Sequence, residues 1–214
     1  MILALDTSTA IASIALYDGA VSAELTWRSG RGHSEELMAQ TSGLMRLRRV
    51  QPEQIKAVAV AIGPGSYTGL RVGLAAAKGL CLALGIPMMG VCSLDILAEA
   101  QKDACVAVRP LLDAGRRRFA TALYRRDGGE LRRVGPIEGK SFAEIVGGIG
   151  EATLLCGDLP DDAVALLERE GLVRLASPAS CLRRAGFLAE IGWRRLGRGD
   201  VQDPRSVEAL YIGG

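Results

Sequence analysis

The chain has 214 residues, of which 49% are hydrophobic and 23% are charged, and its formal net charge is +2. This balance excludes an intrinsically disordered protein and predicts one large domain or two compact lobes. Five cysteines without C-x-x-C spacing exclude a disulfide framework or zinc cluster, and because we find neither a signal peptide nor a membrane-length apolar run, we expect a cytoplasmic protein with no membrane partner.

The first hundred residues predict elements in the order β-β-β-α-β-α-β-α. Short apolar runs bounded by turn residues indicate the strands, and Asp18-Gly19 indicates a hairpin between the second and the third. Ser34 can cap the first helix, and Gly85 and Pro87 end the second. The predicted strands are 1–5, 11–17, 21–27, 56–62 and 88–91, and the predicted helices are 34–48, 68–84 and 94–101.

The second half repeats this order with weaker patterns. Each half opens with an apolar strand that ends in an aspartate, Asp6 or Asp113. A β-β-β-α-β-α lobe present twice is the plan of the two-lobed actin, Hsp70 and sugar-kinase superfamily. We therefore predict this α/β fold, with a first lobe at 1–102 and a second, degenerate lobe at 103–214. The predicted strands of the second lobe are 105–112, 119–124, 131–134 and 152–156, and its predicted helices are 141–146, 162–169 and 179–196.

The most distinctive segment is the sequence GPGSYTGLR at 63–71, where a strand meets a helix. Backbone N–H groups and the helix dipole at such a junction attract anions. It is not a Walker loop, because no lysine follows the last glycine, and its glycines can equally serve a tight turn. The turn after the first strand is the second candidate in the same lobe. The possible nucleotide-binding or anion-binding residues are Asp6, Ser8, Thr9, Gly63, Gly65 and Ser66.

The helix after this loop carries small residues at every fourth position, namely Gly69, Gly73 and Ala77. Glycine inside a helix costs about 1 kcal/mol relative to alanine, so the pattern needs a compensating contact. Tight packing on the chain's own sheet is one explanation. A surface for a partner subunit, extended by Leu70 and Leu74, is the other.

Arginines are concentrated between Arg109 and Arg133, where eight of them stand against three acidic residues. Such a stretch can meet the phosphates of tRNA or of a nucleotide. It can also form a solvated, arginine-rich face, which is the favoured interpretation.

Five sequence blocks in the first hundred residues form a pattern, in this order: MILALDTST at 1–9, HSEEL at 33–37, GPGSYTGLRVG at 63–73, AAAKGL at 75–80 and GVCSL at 90–94. These blocks resemble the signature motifs of the TsaB (YeaZ) family. The resemblance covers nearly all of the first hundred residues, and the loop-plus-helix block is its most specific part. Later, Asp113, Ala114 and Arg116 resemble an Asp-Ala-Arg-Arg element in which Gly115 replaces the first arginine, and the tail at 208–211 lacks the family's closing proline and arginine.

This resemblance implies a non-catalytic subunit of the machinery that makes threonylcarbamoyladenosine in tRNA. Its partners would be the related catalytic subunit TsaD and the ATPase TsaE, with a homodimer when isolated and tRNA contacted only indirectly or weakly. No cofactor is expected, and ATP or ADP with Mg²⁺ would bind only weakly or within the complex. The pairing surface would use the two first-lobe helices, at Ser34, Leu37, Met38, Thr41, Met45, Gly69, Leu70, Gly73, Leu74, Ala76 and Ala77.

The residues argue against catalysis by this chain alone. The catalytic relative binds a metal through H-x-x-x-H, whereas this chain has one histidine, His33. A Ser-His-Asp triad or a Cys-His pair in this chain could therefore use only His33 as its histidine. The alternative is an actin-like ATPase or small-molecule kinase that uses Asp6, the loop at 63–66 and Asp113.

Overall fold

The computed structural model describes residues 1–29, 33–160, 163 and 171–211, without the side chains of His33 and Ser34. These residues form two compact units. Unit 1 comprises Met1–Ile96 and Arg183–Tyr211, and unit 2 comprises Leu97–Leu182. No helix in the described ranges is long and apolar enough to cross a membrane.

Unit 1 is built on a five-stranded mixed sheet in the order β3-β2-β1-β4-β5. The central strand β1 is antiparallel to β2 and parallel to β4, and all of its residues are buried. A strand covered on both faces is apolar throughout, which explains the run ILAL before Asp6. The strands are β1 (Ile2–Asp6), β2 (Ile11–Tyr17), β3 (Val21–Arg28), β4 (Ala57–Gly63) and β5 (Met88–Cys92).

Helices cover both faces of this sheet. Leu3 and Leu5 of β1 face the cluster that includes the first two helices, whereas Ile2 and Ala4 face the last helix. A strand alternates its side chains in this way because successive residues point to opposite faces. The helices are α1 (His33–Leu47), α2 (Tyr67–Leu84), α3 (Ser93–Glu99), which follows β5, and α5 (Ala185–Gly197).

The observed division of the chain differs from the predicted lobes at 1–102 and 103–214, chiefly because of helix α5. This helix packs on β1 and β2, so Arg183–Tyr211 belongs to unit 1 although it follows unit 2 in sequence. A Cβ at Gly192 would lie 2.7 Å from Ala59 Cβ, so this glycine lets α5 approach the sheet closely. The predicted helix at 179–196 also starts later, because residues 178–181 form a short 3₁₀ turn.

Unit 2 repeats the strand order of unit 1, as β10-β9-β6-β7-β8. Strand β6 is antiparallel to β7 and parallel to β9, as β1 is to β2 and β4. Ser141 caps α4 in a capping box with Glu144. The helix predicted at 162–169 lies outside the described residues except for Ala163. The elements are β6 (Ala107–Asp113), β7 (Arg118–Asp127), β8 (Glu130–Ser141), α4 (Phe142–Gly147), β9 (Thr153–Gly157) and β10 (Val173–Leu175).

Candidate functional site

Asp6, at the end of β1, is buried with 1% of its surface exposed. Its Oδ1 accepts hydrogen bonds from the backbone N–H and the hydroxyl of Ser8, at 2.8 and 2.6 Å. Its Oδ2 faces Nε of Arg183 at 3.5 Å, and the Arg183 guanidinium also donates to the Thr9 hydroxyl. The structure therefore places Asp6, Ser8 and Thr9 in one turn, where Ser8 donates hydrogen bonds to Asp6 and Arg183 contacts Asp6 and Thr9.

Arg183 was missed because no local pattern links it to the turn; it lies 177 positions beyond Asp6 and just before α5. The side chains of the pair are 6% and 1% exposed, and neither facing atom has a hydrogen-bond partner. A buried ion pair is held by the mutual attraction of its charges, and removing one partner leaves the other uncompensated. A metal ion or phosphate could reach Asp6 only by displacing or rearranging Arg183.

The loop after β4 packs on the same turn. A Cβ at Gly65 would lie 2.3 Å from Ser8 O, and the N–H of Ser66 donates to that oxygen at 2.7 Å. Gly63 has a φ of 113°, and a Cβ there would lie 2.4 Å from Leu210 O in the tail. These two glycines therefore allow three backbone segments to meet, and Ser66 Oγ caps α2 by accepting from the N–H of Gly69.

The small-residue stripe on α2 packs inside unit 1. A Cβ at Gly69 would lie 2.0 Å from Thr7 O, and one at Gly73 would lie 2.4 Å from Thr7 Oγ1. That hydroxyl donates to Gly69 O at 2.7 Å. The structure thus corrects the interpretation of this stripe as a partner surface, because the stripe accommodates the turn after β1. The other proposed partner residues that are buried are Leu37, Thr41, Leu70, Leu74 and Ala77.

A different face of the two helices is exposed. Met38 of α1 is 40% exposed and Leu82 of α2 is 52% exposed. Ala75 and Gly79 of α2 are also exposed, and a Cβ at Gly79 would meet none of the described residues within 4 Å. We call Met38, Ala75, Gly79 and Leu82 the helix-pair face, since α1 and α2 pack together. Among the remaining predicted partner residues, Met45 and Ala76 are half-buried, and the side chain of Ser34 lies outside the described set.

An aromatic and cationic group, which was not predicted from the sequence, lies at the start of α2. The rings of Tyr67 and Tyr211 are 5.3 Å apart, and the Arg71 guanidinium lies 3.9 Å above the Tyr67 ring. The two tyrosines are 54% and 47% exposed. Exposed tyrosine and arginine are frequent at the energetic centres of protein interfaces.

In unit 2, Asp113 forms hydrogen bonds that stabilise the loop after β6. Its Oδ1 accepts from the N–H of Gly115 at 2.8 Å, and its N–H donates to Asp158 Oδ2 at 3.0 Å. A cleft of about 580 Å³ adjoins it, with Arg116 and Arg117 on the lining at φ values of 53° and 58°. The aspartate predicted for the ATPase alternative is therefore a loop-forming residue in this unit.

The described residues include buried thiols, but they contain no cluster of metal ligands. No group of three or more His, Cys, Asp or Glu residues within those ranges could hold a metal ion. Burial raises the pKa of the Cys81 thiol to about 11, and burial raises the pKa of the Cys156 thiol as well. A thiol that stays protonated is a poor nucleophile.

Comparisons with known proteins agree with this architecture. Residues 21–155 match the family model "TsaD: tRNA N6-adenosine threonylcarbamoyltransferase". The chain is 35% identical to the Bacillus subtilis tRNA threonylcarbamoyladenosine biosynthesis protein TsaB, over 67% of this chain and 63% of that protein. It is 34% identical to the Escherichia coli protein of the same name, over 59% and 55%. The chain thus spans less than two thirds of these curated relatives.

A solved structure agrees over a longer range. YeaZ from Pseudomonas aeruginosa matches with a TM-score of 0.82 and 25% identity over 99% of both chains. Together with the duplicated strand order, this likeness confirms the predicted two-lobed actin-like fold class. The family model, the curated relatives and this structure lead to one conclusion: the chain belongs to the TsaB (YeaZ) family.

Proposed function

We propose that this chain takes part in threonylcarbamoyladenosine biosynthesis in tRNA as a non-catalytic subunit that pairs with a TsaD-like transferase. The names of its relatives and the matching TsaD family model support the pathway and the partner. A TsaE-like ATPase would join the pair. Without its partners, the chain would form a homodimer through the surface that it uses to bind the TsaD-like subunit.

The turn after β1 supports a structural role for the residues that an actin-like ATPase would use. Asp6 is buried, accepts a hydrogen bond from the Ser8 N–H and forms an ion pair with Arg183. In the Gly63–Ser66 loop, the N–H of Ser66 donates a hydrogen bond to the carbonyl oxygen of Ser8. The kinase alternative would require both contacts to open, so we favour the binding subunit.

The observation that carries the proposal is Gly79. A glycine within a helix costs about 0.5–1 kcal/mol relative to alanine. Gly69 and Gly73 are explained by Thr7, whereas a Cβ at Gly79 would contact none of the described residues, and Gly79 is exposed. Since contacts among the described residues do not explain Gly79, we infer that a partner backbone approaches α2 there. Met38 and Leu82 would supply the apolar area of the interface.

The test is the substitution Gly79→Arg in the full chain. Arginine favours helix and meets no neighbour at this site, so the variant should fold, whereas its side chain would fill the space reserved for the partner. We expect its affinity for a co-expressed TsaD-like subunit to fall at least tenfold, measured by calorimetric titration. Sedimentation should also show loss of the homodimer.

Gly197→Arg is the matched control. Gly197 ends α5 in the same unit and is exposed, and a Cβ there would meet nothing within 4 Å. This control should pair as the wild type does. If Gly79→Arg also pairs normally while remaining folded, the helix-pair face is not the interface. Phosphate release from ATP with Mg²⁺ that is abolished by Asp6→Asn would instead favour the ATPase.

A further inference from the structure

The Nε atom of Arg109 on β6 is buried and has no hydrogen-bond partner among the described residues, while the residue as a whole is partly exposed. Nearby arginines behave differently. The Arg125 guanidinium donates two hydrogen bonds to Glu151 Oε1, at 2.9 and 2.6 Å, and Arg132 pairs with Asp127 at 3.5 Å. A buried N–H group without a hydrogen-bond partner is costly. An unpartnered buried group of this kind indicates a missing ligand, water or ion.

Arg109 lines a cleft of about 430 Å³ that lies entirely within unit 2. Arg125, Glu151 and Thr153 line the same cleft, together with residues 148–150. Its lining carries two guanidinium groups and one carboxylate, so its charge favours an anion. A water molecule occupies about 30 Å³ in the liquid, so the volume admits a group larger than one water.

We propose that this cleft binds a phosphate group carried by a larger molecule, with Arg109 as its principal ligand and Arg125 as the second. A guanidinium offers a planar fork of N–H donors, which suits the oxygens of phosphate and carboxylate. Two guanidinium groups on one lining favour the ion with more acceptor oxygens, which is phosphate. Because the Glu151 carboxylate already accepts hydrogen bonds from Arg125, it competes with the incoming anion for the Arg125 guanidinium.

Because of this competition, substitutions at Arg109 and Glu151 should change the affinity for phosphate in opposite directions. Inorganic phosphate is titrated into the ¹⁵N-labelled full chain at constant ionic strength while the arginine Nε–Hε resonances are followed. We expect a saturable shift of the Arg109 resonance and at least tenfold weaker binding, read from the Arg125 resonance, in Arg109→Met. Glu151→Gln should bind several-fold more tightly, because it frees Arg125. The control Arg174→Met removes an exposed arginine of β10 outside the cleft and should bind as the wild type does.

Folding is checked by the thermal midpoint, which phosphate should raise in the wild type but not in Arg109→Met. Should that variant fail to fold, the Glu151→Gln comparison stands alone. Absence of a saturable shift, or wild-type affinity in Arg109→Met and Glu151→Gln, would overturn the proposal.

Two competitors then identify the source of the phosphate. Displacement of inorganic phosphate by AMP, but not by an RNA hairpin without terminal phosphates, would indicate a small phosphomonoester. Displacement by the hairpin would indicate the nucleic-acid backbone. If neither competitor displaces it, the cleft does not recognise phosphate on larger molecules and the proposal fails. The pairing assay on the helix-pair face is run without phosphate, so the two proposals can fail separately.

Discussion

Alanine substitutions at two glycines of α2 should change stability in opposite directions. At Gly69 the new Cβ would lie 2.0 Å from Thr7 O, and the two atoms must separate by about 1.4 Å to reach ordinary contact at 3.4 Å. Such overpacking costs about 1–3 kcal/mol. The shift also disturbs the buried bond from Thr7 Oγ1 to Gly69 O, which is 2.7 Å long and contributes about 1 kcal/mol or more.

The helix-propensity gain of about 1 kcal/mol offsets part of this cost, so Gly69→Ala should destabilise unit 1 by about 1–3 kcal/mol. Gly79→Ala meets no described neighbour and should instead stabilise it by about 0.5–1 kcal/mol. The two variants should therefore differ by about 1.5–4 kcal/mol.

Urea unfolding followed by tryptophan fluorescence measures this difference. The chain has two tryptophans, Trp27 and Trp193, and both lie in unit 1, so the signal reports the unit that carries the substitutions. Free energies of unfolding come from linear extrapolation at a common m-value. If the two alanine variants differ by less than about 1 kcal/mol, the internal packing of the Gly69 stripe has been misassigned.

Two further predictions concern buried chemistry in the described residues. At pH 8 the exposed Cys105 should react quickly with a thiol reagent, whereas Cys81 should react only after unfolding. Burial raises the pKa of Cys81 to about 11, so its thiol is ionised in roughly one molecule in a thousand at this pH. Equal reaction rates of the two cysteines in the folded chain would contradict the burial of Cys81. Arg183→Met should destabilise unit 1 by about 3–5 kcal/mol because Asp6 loses its buried cation, and adding Asp6→Asn should recover much of that loss in a double-mutant cycle. A purely additive cycle would mean that the two charges are not coupled.

The order of the elements could be predicted because it depends on local patterns. The apolar runs 1–5 and 105–112, which precede Asp6 and Asp113, predicted the two central strands. The structure places these strands at Ile2–Asp6 and Ala107–Asp113. Turn chemistry at Asp18 and Gly19 located the hairpin correctly. The repeated order then indicated the repeated sheet topology, although the sequences of the two halves differ.

Contacts between distant segments could not be predicted. Helix α5 was expected in the second lobe because it follows that lobe in sequence, but its apolar face packs on β1. Strand β8 extends beyond the predicted end at residue 134, across Gly135 and Pro136, and an irregular register with β7 accommodates these two residues. The short strand β10 carried too few residues to show a periodic pattern.

On helix α2 of the candidate site, too, the sequence could not show which residues pack inside the chain and which face outwards. Two sets of small residues recur at four-residue spacing on α2, an inward set of Gly69, Gly73 and Ala77 and an outward set of Ala75 and Gly79. Spacing alone cannot separate them, because each forms a stripe along the helix. What separates them is the space beyond each Cβ position: Thr7 fills it at Gly69 and Gly73, whereas it is open at Gly79. A glycine whose cost is explained by the chain's own packing says nothing about a partner, so only the outward set can support an interface.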